Sequence, residues 1–333
     1  MKQAEQIRFS LMQARDYYDS SRAVSAVTKP VLLYYCLMNL ATAEILFKQT
    51  GDSSLDKARA QHRHHGLSFS MDGAVKAESS MAGASAKLSA QPATRNKGER
   101  FGTFELWRRT ARELPTIGTQ QLIDGERNVI SFEALAFGAD NPSEIPLSNI
   151  SLLDCLQHMP ALHQFCWLHE IHSQMVRATI RRSHNNQSMS GSFTMAIHPG
   201  HKEVYENVID QIAFRPDCLE RVQFIDQGDC GNVIYNYDRE YPLMFKLPSS
   251  CNIYQDQCFL YTKRAITNEF GYHYISLYMC GNYARYYPDF WIHDIERSSN
   301  LSMAIDAVMH SAEERVPLLA LSELERTYFV LEG

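Results

Sequence analysis

Among thirteen histidines in 333 residues, two follow an arginine with four or six residues between. Arg59 precedes His64 with four residues between them, and Arg177 precedes His184 with six. Each pair sets a titratable imidazole beside a permanent cation; the alternative for each is a solvated polar turn. His65 is a separate case. Gly66 follows it, permits a positive φ and ends a helix, which places the ring near a C-terminal dipole that favours a cation. His65 is then either a capping or buried hydrogen-bonding residue, or a general acid/base or phosphate contact. Arg285 is its candidate anion-binding partner. The alternatives for Arg285 are a buried ion pair, with Glu44 as one candidate, or a cation–π contact with Trp291 or a tyrosine.

His163, Cys166, His169 and His172 recur at every third position. Each such step turns a helix by about 300°, so the first and last lie roughly opposite one another. One adjacent pair could share an ion only if two further ligands came from elsewhere. No metal and no cofactor is therefore expected. No Walker loop, G-x-G-x-x-G, G-x-S-x-G or H-E-x-x-H is present, which removes the usual sequence support for P-loop phosphoryl transfer, dinucleotide redox chemistry and serine or zinc hydrolysis.

The net charge is −6, which disfavours a nucleic-acid binder over its whole surface but leaves room for a local basic patch. Residues 95–112 carry six basic and two acidic side chains, whereas residues 289–333 carry three basic and nine acidic. These are two solvated faces of opposite sign, or a basic segment that meets phosphate or an acidic partner. Under the second reading Arg108, Arg109 and Arg112, with Arg177, Arg181 and Arg182, are the candidates for nucleic-acid contact. The eight cysteines are dispersed, with no C-x-x-C, and the chain opens on a polar amphipathic helix rather than a signal peptide. A reducing, cytoplasmic setting with packed free thiols is expected.

The elements that must position these groups are mostly helical. Residues 3–24 have a helical apolar period. Thr28, as N-cap, and Pro30, in the first turn, begin an almost wholly apolar helix that runs to Phe47, with Gly51 past its end. Asn39 and Glu44 inside it argue for a buried helix and against a membrane span. The first two helices are expected to form an antiparallel hairpin. Leu55–Leu67 reads as a short helix, and residues 68–98 as either small strands or an excursion. Helix returns at Phe104–Glu113. Asp124-Gly125, Asn141-Pro142 and Ile145-Pro146 mark turns. Ser151–Ile180 reads as a second helical block bent at Pro160. Ser192–Ile197, Val222–Ile225, Asn232–Tyr235 and Cys258–Tyr261 read as strands, with a helix near Lys202–Ile212. Helices follow at Glu269–Tyr287, Ser299–Glu314 and Ser322–Phe329. The expected fold is α+β and predominantly α-helical, one integrated unit over 1–333. Within it lie N-terminal helices (1–67), loops and short strands with one helix (68–150), a helical block (151–186), a strand-rich insertion (190–265) and C-terminal helices (269–333).

Three pieces resemble the YaaC-like family of bacterial proteins. The first is Lys29-Pro30-Val31-Leu32-Leu33-Tyr34-Tyr35 with His65-Gly66-Leu67. The second is Ser151-Leu152-Leu153 through Met159-Pro160-Ala161-Leu162. The third is Arg285-Tyr286-Tyr287-Pro288-Asp289-Phe290-Trp291, with a helix ending near Val316-Pro317-Leu318-Leu319. Cys280-Gly281-Asn282-Tyr283-Ala284 departs from the family pattern. The resemblance implies a name and a length rather than a reaction.

The Arg59-x4-His64 spacing also resembles that of HEPN ribonucleases. That resemblance implies metal-independent RNA cleavage at a composite site of a homodimer. A histidine there exchanges protons with the 2′-hydroxyl or the leaving oxygen, and an arginine stabilises phosphate charge. Two readings follow. One is a non-catalytic helical interaction subunit of a bacterial system, with antiphage defence as the setting by analogy, that binds a protein partner or itself. The other is a HEPN-like endoribonuclease that binds RNA and uses His64 or His65 with Arg59 or Arg285.

Overall fold

Helix α1, Lys2–Ala23, is amphipathic, and helix α2, Lys29–Lys48, is apolar on nearly all sides. They run antiparallel: the side-chain amide of Gln3, at the start of α1, donates to the carbonyls of Leu46 and Gln49 at the end of α2. The computed structural model describes residues 2–72, 80–95, 98–110, 119–123, 126–131, 136–138, 148–185, 188, 190–198, 222–226, 231–237, 246–248, 251–254, 257–262, 265–325 and 328–331. The chain divides into two compact units. One comprises Met1–Ala111, Asn141–Ser173 and Ile266–Glu325; the other comprises Arg112–Asp140, Gln174–Ala265 and Arg326–Gly333.

The first unit holds α1 and α2, then α3 (Arg59–His62), β1 (Leu67–Met71), α4 (Met81–Ser85), β2 (Leu88–Pro92) and α5 (Thr103–Thr110). After β6 (Ile150–Ser151) come α6 (Leu152–Gln157), α7 (His163–Leu168), α8 (Glu269–Tyr286), α9 (Pro288–Glu296) and α10 (Asn300–Glu325). Strands β1, β2 and β6 form a small antiparallel sheet in that order. Residues 68–72 and 80–92 are thus a strand pair with a short helix between.

Helices from both ends of the chain share one interior, in which α2 packs on α5, α8 and α10. The Trp291 indole donates to the Val27 carbonyl at 3.0 Å. Gly281, within the stretch that departs from the family pattern, faces α2: a Cβ there would lie 3.4 Å from the Tyr34 Cβ, an ordinary contact. By length and composition α2 could cross a membrane, and two-thirds of its most apolar window (67%) is buried inside this helical core.

Charge is buried here as well. The Arg315 guanidinium forks onto the Glu269 carboxylate through two bonds of 2.8 Å. The Trp107 indole donates to Glu44 at 2.6 Å, and the Tyr283 hydroxyl donates to Asp294 at 2.6 Å. Burial of these groups is tolerated because each carboxylate meets a donor.

The second unit is built of strands. An antiparallel sheet has the order β12 (Cys251–Tyr254), β13 (Gln257–Tyr261), β7 (Met175–Asn185), β8 (Ser190–His198), β10 (Gly231–Tyr237), β9 (Val222–Asp226). A three-stranded sheet pairs β14 (Tyr328–Leu331), β3 (Thr119–Ile123) and β4 (Glu126–Ser131). Strand β11 (Lys246–Pro248) lies parallel to β5 (Ala136–Gly138). The fold is α+β and predominantly helical, with a strand-bearing insertion between helices from the two ends.

Several boundaries differ from the sequence reading. Helix does not continue from Ser151 to Ile180. A capping box of Ser151 and Asp154 starts α6, Pro160 opens a 3-10 turn, and Glu170 at φ 54° follows α7. The chain then becomes strand β7, where Val176 and Ala178 are buried while Arg177 and Thr179 are exposed, a period of two rather than 3.6. Helix α10 continues through Pro317 to Glu325, and the β-forming run Tyr328–Leu331 is strand. Thr28 occupies the N-cap position of α2 without a side-chain bond, and Gly51 begins a 3-10 turn after the extended Gln49. Asp124-Gly125, Asn141-Pro142, Ile145-Pro146 and Lys202–Ile212 lie outside the described residues.

Candidate functional site

Helix α3 ends at His62, so His64 and His65 follow it in a turn whose carbonyls point at the start of α5. The amide of Thr103 donates to the His64 carbonyl at 2.8 Å, and that of Phe104 to the His65 carbonyl at 3.1 Å. Two amides that a helix start leaves without intrahelical acceptors are satisfied this way. Such an approach of two backbones requires glycine on both sides. Gly66 has φ 86° and Gly102 φ 104°, and a Cβ on Gly102 would lie 2.5 Å from the Gly66 Cα. The turn is further fixed by the Tyr278 hydroxyl, which donates to the Leu67 carbonyl at 2.7 Å.

The half-buried His65 ring packs edge-on to Tyr34, and its Nδ1 lies 2.8 Å from the Tyr34 hydroxyl. Burial is the main force that holds its pKa below the ordinary histidine value; the neighbouring Arg285 and His64 act in the same direction. The helix-end expectation was the reverse, a dipole-favoured cation. His65 is not in the last turn of α3, and its carbonyl faces the start of α5, so that argument does not apply.

Arg285, on α8, is exposed; its Nη1 donates to the Tyr35 hydroxyl at 3.1 Å and its guanidinium lies over the Tyr286 ring. It is not the partner of Glu44, which takes the Trp107 indole instead. The nearest ion pair of Arg59 is with Asp56 at 3.7 Å. Arg59 and Arg285 are both absent from the lining of the cleft that His64 and His65 share.

The basic segment is only partly outward-facing. Arg108 is buried and forks onto Glu105 with bonds of 3.0 and 3.1 Å, so it is not available for nucleic acid. Arg109 is exposed and reaches the same carboxylate at 3.0 Å. Arg177 is exposed on β7; Arg112 and the side chains of Arg181, Arg182 and His184 lie outside the described residues. The histidine–cysteine series does not converge. His163 Nδ1 meets the Ser173 hydroxyl, Cys166 donates to the Leu156 carbonyl and His169 packs on Phe165. Among the described residues, no three His, Cys, Asp or Glu side chains form a metal-holding group. Cys36, Cys155, Cys166 and Cys280 are free and buried, and burial pushes the Cys36 and Cys166 thiols up to about 12.

His64 and His65 line an open cleft of about 350 Å³ with Arg63, Gln91, Thr94 and Phe101. Sequence patterns did not single out Arg63, Thr94 or Phe101. The available signal was the pair of glycines, Gly98 and Gly102, that bracket Phe101 and have positive φ.

The family model described as YaaC-like Protein matches residues 1–111 and 118–324, nearly the whole chain. No curated protein and no solved structure matches it.

Proposed function

We propose, for a chain that belongs to the YaaC-like protein family, a non-catalytic role as a helical interaction subunit of a bacterial system. One observation carries this reading. His65 and Arg285 are each tied to a tyrosine hydroxyl on the same helix, at the adjacent residues Tyr34 and Tyr35. Their polar groups join the β1 turn and α8 to α2, which is work in the fold rather than on a substrate. The interaction half of the reading is supported by large apolar side chains on the surface: Trp167 is 75% exposed and Leu168 61%. The partner in this reading is a protein, a second copy of the chain included, and antiphage defence is a setting reached by analogy alone.

A second reading, a metal-independent endoribonuclease, is favoured by the cleft that brings His64 and His65 together. A His65 held below its usual pKa is neutral near pH 7 and able to accept a proton. One assay separates the two readings: purified protein incubated with total RNA in EDTA. The interaction reading expects intact RNA over a wide protein range. Cleavage that disappears in both His64→Ala and His65→Ala would replace it with the nuclease.

A further inference from the structure

The cleft beside His64 has a permanent cation, Arg63, in its lining. Beyond β2 the chain turns back on itself: Thr94 bridges Arg100 and the Phe101 amide donates to the Ala93 carbonyl at 3.2 Å. Gly98, at φ 78°, makes that turn. The arm presents the Phe101 ring to the cleft. The Arg95 guanidinium lies 4.5 Å from the centre of that ring, and His64 packs edge-on to it at 4.8 Å. Phe101 therefore meets His64 within the lining of the cleft and Arg95 outside it. Among the described residues, no carboxylate forms an ion pair with Arg63, Arg95 or Arg100, and none lines the cleft.

We propose that this cleft binds a phosphate-bearing small molecule of about mononucleotide size, with Arg63 as the charged contact and Thr94 and Gln91 as neutral donors. A guanidinium fork, a hydroxyl and an amide together match an anion with several oxygens better than a lone carboxylate. A volume of about 350 Å³ lies within the range of small-ligand sites. Arg95 covers one side of the Phe101 ring, so recognition runs through phosphate oxygens rather than through stacking of a base on that ring. The site is independent of the interaction role proposed above, since it requires neither catalysis nor a partner.

Calorimetric titration of the full chain at low ionic strength tests it, with pyrophosphate, AMP and a short single-stranded oligoribonucleotide as probes. Pyrophosphate and AMP are expected to bind saturably, and Arg63→Ala is expected to weaken both by about tenfold or more. Arg63 is exposed, so its loss leaves the fold intact. Arg15→Ala, an exposed arginine on α1, is the control and leaves affinity unchanged. Ligand charge also raises the His65 pKa, read from its ring-proton resonance during the same titration. Absence of binding by both small probes overturns the proposal, as does equal affinity in Arg63→Ala. Binding of the oligoribonucleotide alone overturns it in favour of an RNA surface.

Discussion

The Tyr34 hydroxyl lies 2.8 Å from His65 Nδ1, and so joins the buried interior of the helical unit to the wall of the cleft that His64 and His65 line. Tyr34 is 4% exposed and its ring also meets Tyr274 and Tyr278 edge-on. Its hydroxyl pKa is raised well above the ordinary tyrosine value, chiefly by burial, so it stays protonated near neutrality. Removing that hydroxyl leaves His65 Nδ1 without the partner it has now. Tyr34→Phe is expected to cost about 1 kcal/mol of unfolding free energy in denaturant melts. Tyr35→Phe removes only the exposed contact with Arg285 and is expected to cost under about 0.5 kcal/mol. Equal effects at the two positions would remove the distinction.

The glycine crossing makes a sharper prediction. Gly66→Ala and Gly102→Ala each force a positive φ on an L-residue and place a Cβ within 3 Å of backbone. About 1–2 kcal/mol of conformational cost is joined by a clash that no side-chain rotation relieves. Gly98→Ala has the same sign of φ and open space around it, so it pays the conformational cost alone. Thermal melts of the three variants should therefore place Gly98→Ala well above the other two.

The buried Glu269–Arg315 pair should depend on both partners. Glu269→Gln leaves the Arg315 charge without its counter-ion and is expected to cost about 3–5 kcal/mol. Joint replacement of both residues by methionine should cost less than Glu269→Gln alone. Denaturant midpoints decide this, and a double replacement worse than the single would show the pair is a net source of stability.

His273 sets an acid limit. It is fully buried on α8, and burial lowers its pKa to about 4, with Arg315 acting in the same direction and Glu269 against it. In the unfolded chain its pKa is about 6.5. The unfolded state therefore takes up the proton first as pH falls. The stability is whole above about pH 6.5 and is lost on the way down to about pH 4. The loss amounts to roughly 3 kcal/mol for this one group. His273→Leu should flatten the pH dependence of the melting temperature across that window, and an unchanged slope would place the acid sensitivity elsewhere.

The sequence made some of this legible and hid the rest for physical reasons. A run with almost no polar face, Pro30 to Phe47, read as a buried helix rather than a membrane span because Asn39 and Glu44 lie inside it, and a Gly after His65 marked a positive φ. Arg108 was counted with its surface neighbours because charge totals do not reveal that Glu105, three residues earlier, forks onto it inside the core. The change from helix to strand at Met175 was missed because Met, Val, Ala and Ile satisfy a helical period nearly as well as an alternating one. Burial at Val176 and Ala178 with exposure at Arg177 and Thr179 settles it only once neighbours are known. Glu44 clearly needed a donor, but which one depended on α5 crossing α2, a long-range contact with no local mark.

The unfolding free energy of His65→Ala tests the central claim most directly. A His65 that ties the β1 turn to α2 predicts a loss of about 2 kcal/mol relative to the natural chain. A variant as stable as the parent would contradict the tether and return His65 to the group of residues kept for chemistry.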